Sequence, residues 1–365
     1  MRKLIVLLTL TGLAACSGEA PVSSDTTASQ SQQPQVETAS YNVLFGGTDV
    51  GDMTISQSGT LIDISYGFSN NGRGASSEET LLLSEAGLPI SWKITGKTTF
   101  GNQVNETYEL KDGQASWTSA AGSGEADASN KPIYIAQNAS PYELYTYAKT
   151  VLDAGGEPYP ALPAGQVTVT PKESLTLQGK DDELAVTLYA VGGIDLNPSY
   201  ILLDDQQQYV GGVSPRYAVL KAGFENEDSR LRELTATLNT KRYEDIANNV
   251  THEYEQPVRI NNVRIFDPQS LSLTDPVSVV MTGDTITAIE DVRSAPGADE
   301  VFIEGEGGTL VAGLYDMHGH VGDNQAIMNV MAGVTGIRDM GNEDDVLSDL
   351  IDKIDRGVLI GPTIT

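Results

Sequence analysis

The chain has 365 residues, of which 50 are acidic and 22 basic, so its formal net charge is −28. That length allows two or three domains. The charge argues against nucleic acid as a partner, because phosphates would be repelled. The acidic residues are dispersed along the sequence, which is typical of a solvated acidic exterior and not of one acidic binding site.

The first fifteen residues have the pattern of a signal peptide. Arg2 and Lys3 precede an apolar run, Leu4–Leu10, that is too short to span a bilayer. The run is followed by Leu13-Ala-Ala-Cys16, which resembles the bacterial lipobox. That resemblance implies a lipid on Cys16 and a place in the bacterial cell envelope, on the periplasmic side of the outer membrane. Cys16 is the only cysteine, so no disulfide forms within the chain.

The next segment, residues 16–40, is rich in Ser, Thr, Gln and Pro and has almost nothing to bury. Such a composition cannot offset the entropy lost on ordering. We therefore expect a disordered tether between the anchor and the folded part.

Residues 41–222 predict an antiparallel β domain. Leu61–Tyr66 and Ile90–Ile94 alternate with period two, and Asp112-Gly113 is a hairpin turn. A large curved sheet or half-barrel is expected, loosely similar to periplasmic lipoprotein-carrier half-barrels. One helical insertion is predicted at Pro141–Leu152. Its tyrosines, at positions 142, 145 and 147, are interpreted as core residues, with a ligand groove as the alternative.

A linking helix is predicted within residues 223–256, followed by a small β unit at 257–311. Leu231, Leu234 and Leu238 share one face of the helix, and His252 is expected to help cap its end. In the β unit, residues 258–266 suggest a strand pair. Two further strands are expected on either side of the turn at Gly283-Asp284.

Two of the three histidines of the chain end a strand pattern at Val311–His320. Side chains alternate along a strand, so His318 and His320 point the same way. Adjacent imidazoles are suitable ligands for a divalent transition metal. Downstream, Met331–Gly341 suggests the end of a short helix and a second strand, and Asp344–Arg356 predicts an amphipathic helix.

These motifs resemble the amidohydrolase superfamily, in particular its imidazolonepropionase-like and Xaa-Pro dipeptidase-like members. Ala312 and Gly319 depart from the usual proline and from threonine or valine, without removing a ligand. The resemblance covers roughly residues 257–365. The matching segments are Gly308–Leu310, Gly313–Leu314, Asp316–His320, Gly333–Thr335, Arg338–Asp339 and Gly361–Pro362.

The chain as a whole is expected to be α+β. The residue patterns predict the N-terminal antiparallel β domain and the linking helix, and the resemblance implies half of a β-sandwich at 257–311 and, at 312–365, the first two β/α units of an incomplete TIM-like barrel. It implies that His318 and His320 hold a divalent ion, zinc being expected, with one or two ions in the complete protein. The family's catalytic aspartate would lie beyond Thr365, so we expect a longer enzyme of which this is the N-terminal part.

The implied reaction is hydrolysis of an amide, a cyclic amide or a short peptide such as an X-Pro dipeptide. Asp316 is a candidate for orienting a metal ligand, with a structural hydrogen bond as the alternative. Arg338 and Asp339 are candidates at the rim, where such sites form; a mutual salt bridge is the alternative interpretation and is slightly favoured.

A second class of function stays open at this point. The chain would then be a non-catalytic surface lipoprotein whose β domain binds a ligand or partner. Both hypotheses share the membrane as a partner through the lipid on Cys16, and neither specifies an oligomeric state.

Overall fold

Strands dominate the structure, a computed structural model that describes residues 36–342 and 344–365. The described part is α+β. The predicted signal peptide, Cys16 and most of the predicted tether lie outside the described residues. The tether prediction was wrong at its end, since the first strand begins at Glu37. The physical reason is pairing: residues 37–40 form a ladder with residues 54–57 of the next strand.

One sheet of fifteen strands contains the predicted β domain. Its spatial order is β8-β7-β6-β5-β4-β3-β2-β1-β15-β14-β13-β12-β11-β10-β9. Neighbouring strands are antiparallel except β9 and β10. The strands are β1 (Glu37–Phe45), β2 (Thr48–Ser58), β3 (Leu61–Phe68), β4 (Ser76–Leu83), β5 (Pro89–Lys97), β6 (Gln103–Lys111), β7 (Gln114–Ser119), β8 (Gly122–Asp127), β9 (Ile133–Tyr134), β10 (Tyr159–Leu162), β11 (Gln166–Gln178), β12 (Glu183–Gly192), β13 (Ser199–Asp204), β14 (Tyr209–Val213) and β15 (Tyr217–Lys221).

The predicted hairpin turn at Asp112-Gly113 is confirmed. Lys111 pairs with Gln114 across it. Asp112 and Gly113 have φ angles of 52° and 77°. Two consecutive positive φ angles are what the favoured two-residue hairpin turn requires, and Asp-Gly tolerates them.

The sheet curls so that its two ends approach each other. Tyr134 of β9 stacks on Tyr108 of β6, with ring centroids 4.8 Å apart, and lies 6.1 Å from the ring of Trp117 in β7. Helix α1 (Glu143–Asp153) belongs to the apolar core enclosed by this curve. Tyr147 of α1 is fully buried and Tyr142 nearly so, so these tyrosines pack in the core, as the favoured interpretation predicts.

The strands β12 to β15 are buried on both faces. Ile201 and Leu203 belong to the inner core, whereas Tyr200 and Leu202 belong to a second core on the outer face. Helix α2 (Asp228–Val250), preceded by a 3₁₀ turn at Glu225–Glu227, covers that outer face with Leu231. Side chains alternate along a strand, so burial on both faces explains the unbroken apolar sequence of β13.

A second sheet follows α2. Its strands are β16 (Val258–Asp267), β17 (Ser272–Leu273), β18 (Val277–Thr282), β19 (Thr285–Asp291), β20 (Val301–Glu304) and β21 (Thr309–Leu310). The predicted strand pair at 258–266 was wrong, because these residues form the single strand β16. Asn262 has a φ of 54°, and the register with β18 shifts between Ile260 and Val263. This local irregularity breaks the pattern of alternation without ending the strand.

The last part of the chain is a βαβαβ unit with three parallel strands, not the two that the sequence predicts. They are β22 (Leu314–Gly319), β23 (Val334–Asp339) and β24 (Thr363–Ile364), in that order in the sheet. Helix α3 (Asp323–Met331) joins the first pair and α4 (Asp344–Asp355) the second. Among the described residues these strands form an open sheet and no closed barrel. Strand β24 has only two residues, too few to show the alternating pattern by which a strand is predicted from sequence.

Strand β22 is exposed, although its apolar sequence predicts burial. Leu314 is 57% exposed and Met317 65%. Strand β22 lies at the edge of its sheet and pairs only with β23 among the described residues.

The helices in the described part of the chain include none with the length and hydrophobicity that a membrane span requires.

Leu231 offers a test of the packing between α2 and the large sheet. Leu231→Ala is expected to lower the free energy of unfolding by about 2–5 kcal/mol, because the side chain is 1% exposed and leaves a cavity. Leu271→Ala, at a position 77% exposed, is the matched control and should change little. Urea denaturation followed by circular dichroism measures both, and equal losses would contradict this packing.

Candidate metal-binding site

The candidate site lies where the parallel strands of the βαβαβ unit end. Strand β22 ends at Gly319, directly before His320, and β23 ends at Asp339. Gly319 and Asp339 are partners in the parallel register. Parallel strands bring their carboxyl ends to one edge of a sheet, which is where ligand sites of open α/β sheets form.

The two imidazole rings lie side by side. Their centroids are 5.5 Å apart, the ring planes make an angle of 78°, and both side chains are exposed. A zinc ion bonded to both rings in a tetrahedral site would set the centroids about 5 Å apart. The separation of the two rings is therefore close to that of neighbouring ligands of one ion.

Close backbone contacts position these rings. The His318 N–H donates to Asp316 Oδ1 over 3.0 Å. A Cβ added to Gly319 would lie 2.2 Å from the side chain of Ile337, which explains glycine at this position. Gly341 lies against the other ring, since a Cβ there would come within 2.9 Å of His320 Cε1.

Asp339 is held by hydrogen bonds and not by the neighbouring arginine. Its carboxylate accepts the N–H groups of Val321 at 2.8 Å, Gly341 at 3.0 Å and Asn342 at 3.0 Å. Burial alone would raise the pKa of Asp339, but these hydrogen bonds outweigh it and lower the pKa. The favoured Arg338–Asp339 salt bridge was wrong: Arg338 is exposed, and no ion pair in the described part of the chain joins the two.

The described residues supply two metal ligands and not a complete set. Within residues 36–342 and 344–365, no group of three or more His, Cys, Asp or Glu side chains is placed to hold an ion. Asp316 is bonded to the backbone of His318 and not to an imidazole, which is the structural alternative anticipated for it. The described residues therefore provide part of a metal site, namely the two ligands His318 and His320.

His252, the third histidine, does not cap the linking helix as predicted. The backbone N–H of Thr251 makes that contact, to the carbonyl of Ala247, and His252 lies beyond it. Its ring is exposed and 6.4 Å from that of Tyr254.

Sequence reasoning missed Gly341 and Asn342. Asn342 Nδ2 donates to Asp339 Oδ2 at 2.7 Å and to the Val321 carbonyl at 2.8 Å, so it joins the loops that follow the two strands. Both residues follow the predicted second strand by two or three positions. Loops that follow the carboxyl ends of parallel strands commonly carry site residues. Their position after the predicted strand is the signal in the sequence that could have identified them.

No protein-family model and no curated protein matches the sequence. Among solved structures, a putative prolidase from Bifidobacterium longum is 22% identical over 31% of this chain and 30% of its own, with a TM-score of 0.28. A Xaa-Pro dipeptidase with bound methionine is 25% identical over 30% of this chain and 32% of its own, with a TM-score of 0.25.

A β-barrel-like protein of a domain of unknown function from Brucella abortus is 10% identical over 52% of this chain and 95% of its own, with a TM-score of 0.34. The chain thus spans less than a third of the length of the prolidase and the dipeptidase. Likenesses at these TM-scores establish neither a family nor an activity for this chain.

Asp339→Asn tests the hydrogen bonds at the end of β23. The variant is expected to be less stable by about 1–3 kcal/mol at pH 7, because an amide NH₂ cannot accept the backbone N–H groups. The folded-state pKa of Asp339 is lowered, so its contribution is present above the unfolded pKa of about 3.9 and is lost as the pH falls through the folded pKa.

The difference between wild type and variant should therefore narrow below about pH 4. Denaturant unfolding at several pH values measures it, with the exposed Asp299→Asn as control. A difference that does not change with pH would contradict the assignment.

Proposed function

We propose that this chain is the N-terminal part of a metal-dependent hydrolase of carbon–nitrogen bonds. The observation that carries the proposal is the pair His318 and His320, whose rings lie 5.5 Å apart at the carboxyl end of a parallel strand. Imidazole nitrogens are common zinc ligands, which supports the proposal. The substrate class is an amide, a cyclic amide or an X-Pro dipeptide, as the sequence motifs imply.

A divalent ion at this position would polarise a carbonyl and favour deprotonation of water near neutral pH. The chain's own residues have positioning tasks. Neutral His318 and His320 would donate ring-nitrogen lone pairs. Asp339, with Asn342, fixes the loops beside them, and Asp316 fixes the backbone of His318.

Exposed apolar side chains support the proposal that further structure completes the site. On β22 and α3, Leu314, Met317 and Met331 are 57%, 65% and 79% exposed. Exposed apolar side chains on both faces of an edge strand and on the adjoining helix are consistent with further structure packing here. We propose that further strands of the same protein pack here and supply the remaining ligands and the proton-transferring aspartate.

The anchor belongs to the same proposal. Cys16, in the lipobox-like sequence, would carry the lipid and hold the enzyme to the periplasmic side of the outer membrane. An acyl chain stabilises such attachment by about 0.8 kcal/mol per buried methylene.

The two ligand histidines give a direct test. In the 365-residue chain, His318→Ala with His320→Ala should abolish binding of Zn²⁺, measured by calorimetry and by metal content after gel filtration. His252→Ala is the matched control and should bind as the wild type does. Zinc binding that survives the double substitution would refute the assignment of these ligands.

The native polypeptide gives a second test. An immunoblot of the source cells, with an antibody against the β domain, is expected to show a band well above the 38.8 kDa of this sequence. The larger polypeptide should hydrolyse C–N substrates and lose that activity with His318→Ala. A native band at or just below 38.8 kDa would contradict the hydrolase proposal.

A further inference from the structure

A half-open cavity lies against the large sheet, remote in sequence from the histidines. Its volume is about 620 Å³, which is in the range of small-molecule sites. Apolar and aromatic side chains make up much of its wall, including Tyr66, Phe68, Val104, Leu144 and Tyr217. This wall suits an apolar body of moderate size.

The wall also carries a carboxylate, Glu143, at the start of α1. Its Oε2 accepts a hydrogen bond from Tyr147 Oη at 2.9 Å. No second hydrogen bond and no ion pair to the Glu143 carboxylate occurs within the described ranges. The side chain keeps part of its accessible surface, and as a lining residue it turns that surface to the cavity.

Two other interior carboxylates differ from Glu143 in being satisfied. Glu79 accepts from Trp92 Nε1, Ser77 Oγ and the Ser140 N–H. Glu106 accepts from Tyr134 Oη at 2.7 Å and from the N–H groups of residues 137 and 138. They act as structural acceptors for the segment that leads into α1. Glu143 is the member of this group that is left available to a ligand.

A second observation points to a polar ligand. The hydroxyls of Tyr66 and Tyr217, both on the cavity wall, are 2.7 Å apart and share one hydrogen bond, which leaves acceptor capacity facing the cavity.

We propose that this cavity binds a small organic amine, with its ammonium group on Glu143 and its apolar body against Tyr66, Phe68 and Leu144. An ammonium group supplies positive charge and three donors to a carboxylate that otherwise has one partner. The net charge of −28 favours approach of a cation. This site is independent of the proposed hydrolase.

The electrostatics of the cavity agree with this choice. Burial raises the pKa of Glu143 to about 8; the Tyr147 hydrogen bond opposes that shift, and the charges of Glu79 and Glu106 add to it. A bound ammonium would favour the ionised form, so binding should release a proton. Besides Glu143, the titratable residues on the cavity wall are Tyr66 on β3, Lys97 on β5, Tyr200 on β13 and Tyr217 on β15. Glu79 on β4, Glu106 on β6 and Tyr147 on α1 act on Glu143 from outside the wall.

Calorimetry of the 365-residue chain with 2-phenylethylamine tests the proposal. We expect Glu143→Gln to weaken binding at least tenfold at pH 8, while Glu85→Gln, at an exposed glutamate, leaves it unchanged. The wild-type affinity should fall about tenfold or more from pH 8 to pH 6, because Glu143 must lose its proton. The variant should show no such dependence. Leu144→Trp, which fills the cavity, should abolish binding and provides a second variant.

Matched probes identify the chemistry. The neutral 2-phenylethanol and the anionic 3-phenylpropanoate should each bind at least tenfold more weakly than the amine. Equal affinity of wild type and Glu143→Gln would overturn the proposal. So would tighter binding of the neutral or anionic probe, or displacement of the amine by millimolar Ca²⁺, which would assign the site to an inorganic cation.

Discussion

Helix α2 is the element on which the arrangement of the rest depends, because it belongs to two apolar clusters at once. Leu231 near its start packs on the outer face of the large sheet. Tyr243, three turns later, packs with the βαβαβ unit, and its hydroxyl donates to Asn324 Oδ1 at 2.9 Å. A single helix thus fixes the histidine site relative to the β domain. The other faces of α2 are polar. The helix is stabilised mainly by the packing of its apolar residues against these two clusters.

Buried or half-buried carboxylates are the second recurring constraint. Glu79, Glu106 and Asp339 each accept at least three hydrogen bonds, and in each case backbone N–H groups of an irregular segment are among the donors. Irregular backbone inside a protein must find partners, and an acidic side chain can satisfy several donors together. The Glu143 carboxylate differs from these three because it accepts only one hydrogen bond within the described ranges, which is consistent with a role in binding a ligand.

Local patterns predicted much of the fold. The Asp112-Gly113 turn, helix α1 and helix α4 follow from turn chemistry and amphipathic spacing, and these signals involve only neighbouring residues. The spacing of His318 and His320 also suggested neighbouring rings, and the rings do lie side by side, although the register of β22 with β23 shifts between Asp316 and Gly319 and His320 follows the strand. The exposure of β22 was not predictable in this way. The sequence of an apolar strand does not show whether another element packs on it.

The missed residues share one cause, which is that their roles depend on contacts distant in sequence. Gly341 is required by the ring of His320, twenty-one positions away. Glu79 meets the N–H of Ser140, which lies sixty-one positions later. Nothing in the immediate neighbourhood of a glycine or glutamate marks such a contact, whereas the topology of the sheets creates it.

The same charge constrains both proposed sites. At −28, the protein attracts cations in general, so a divalent ion at His318 and His320 and an amine at Glu143 are each favoured before any specific contact forms. For both proposed sites the long-range field of these 365 residues disfavours anions, and the local groups decide among the molecules that remain.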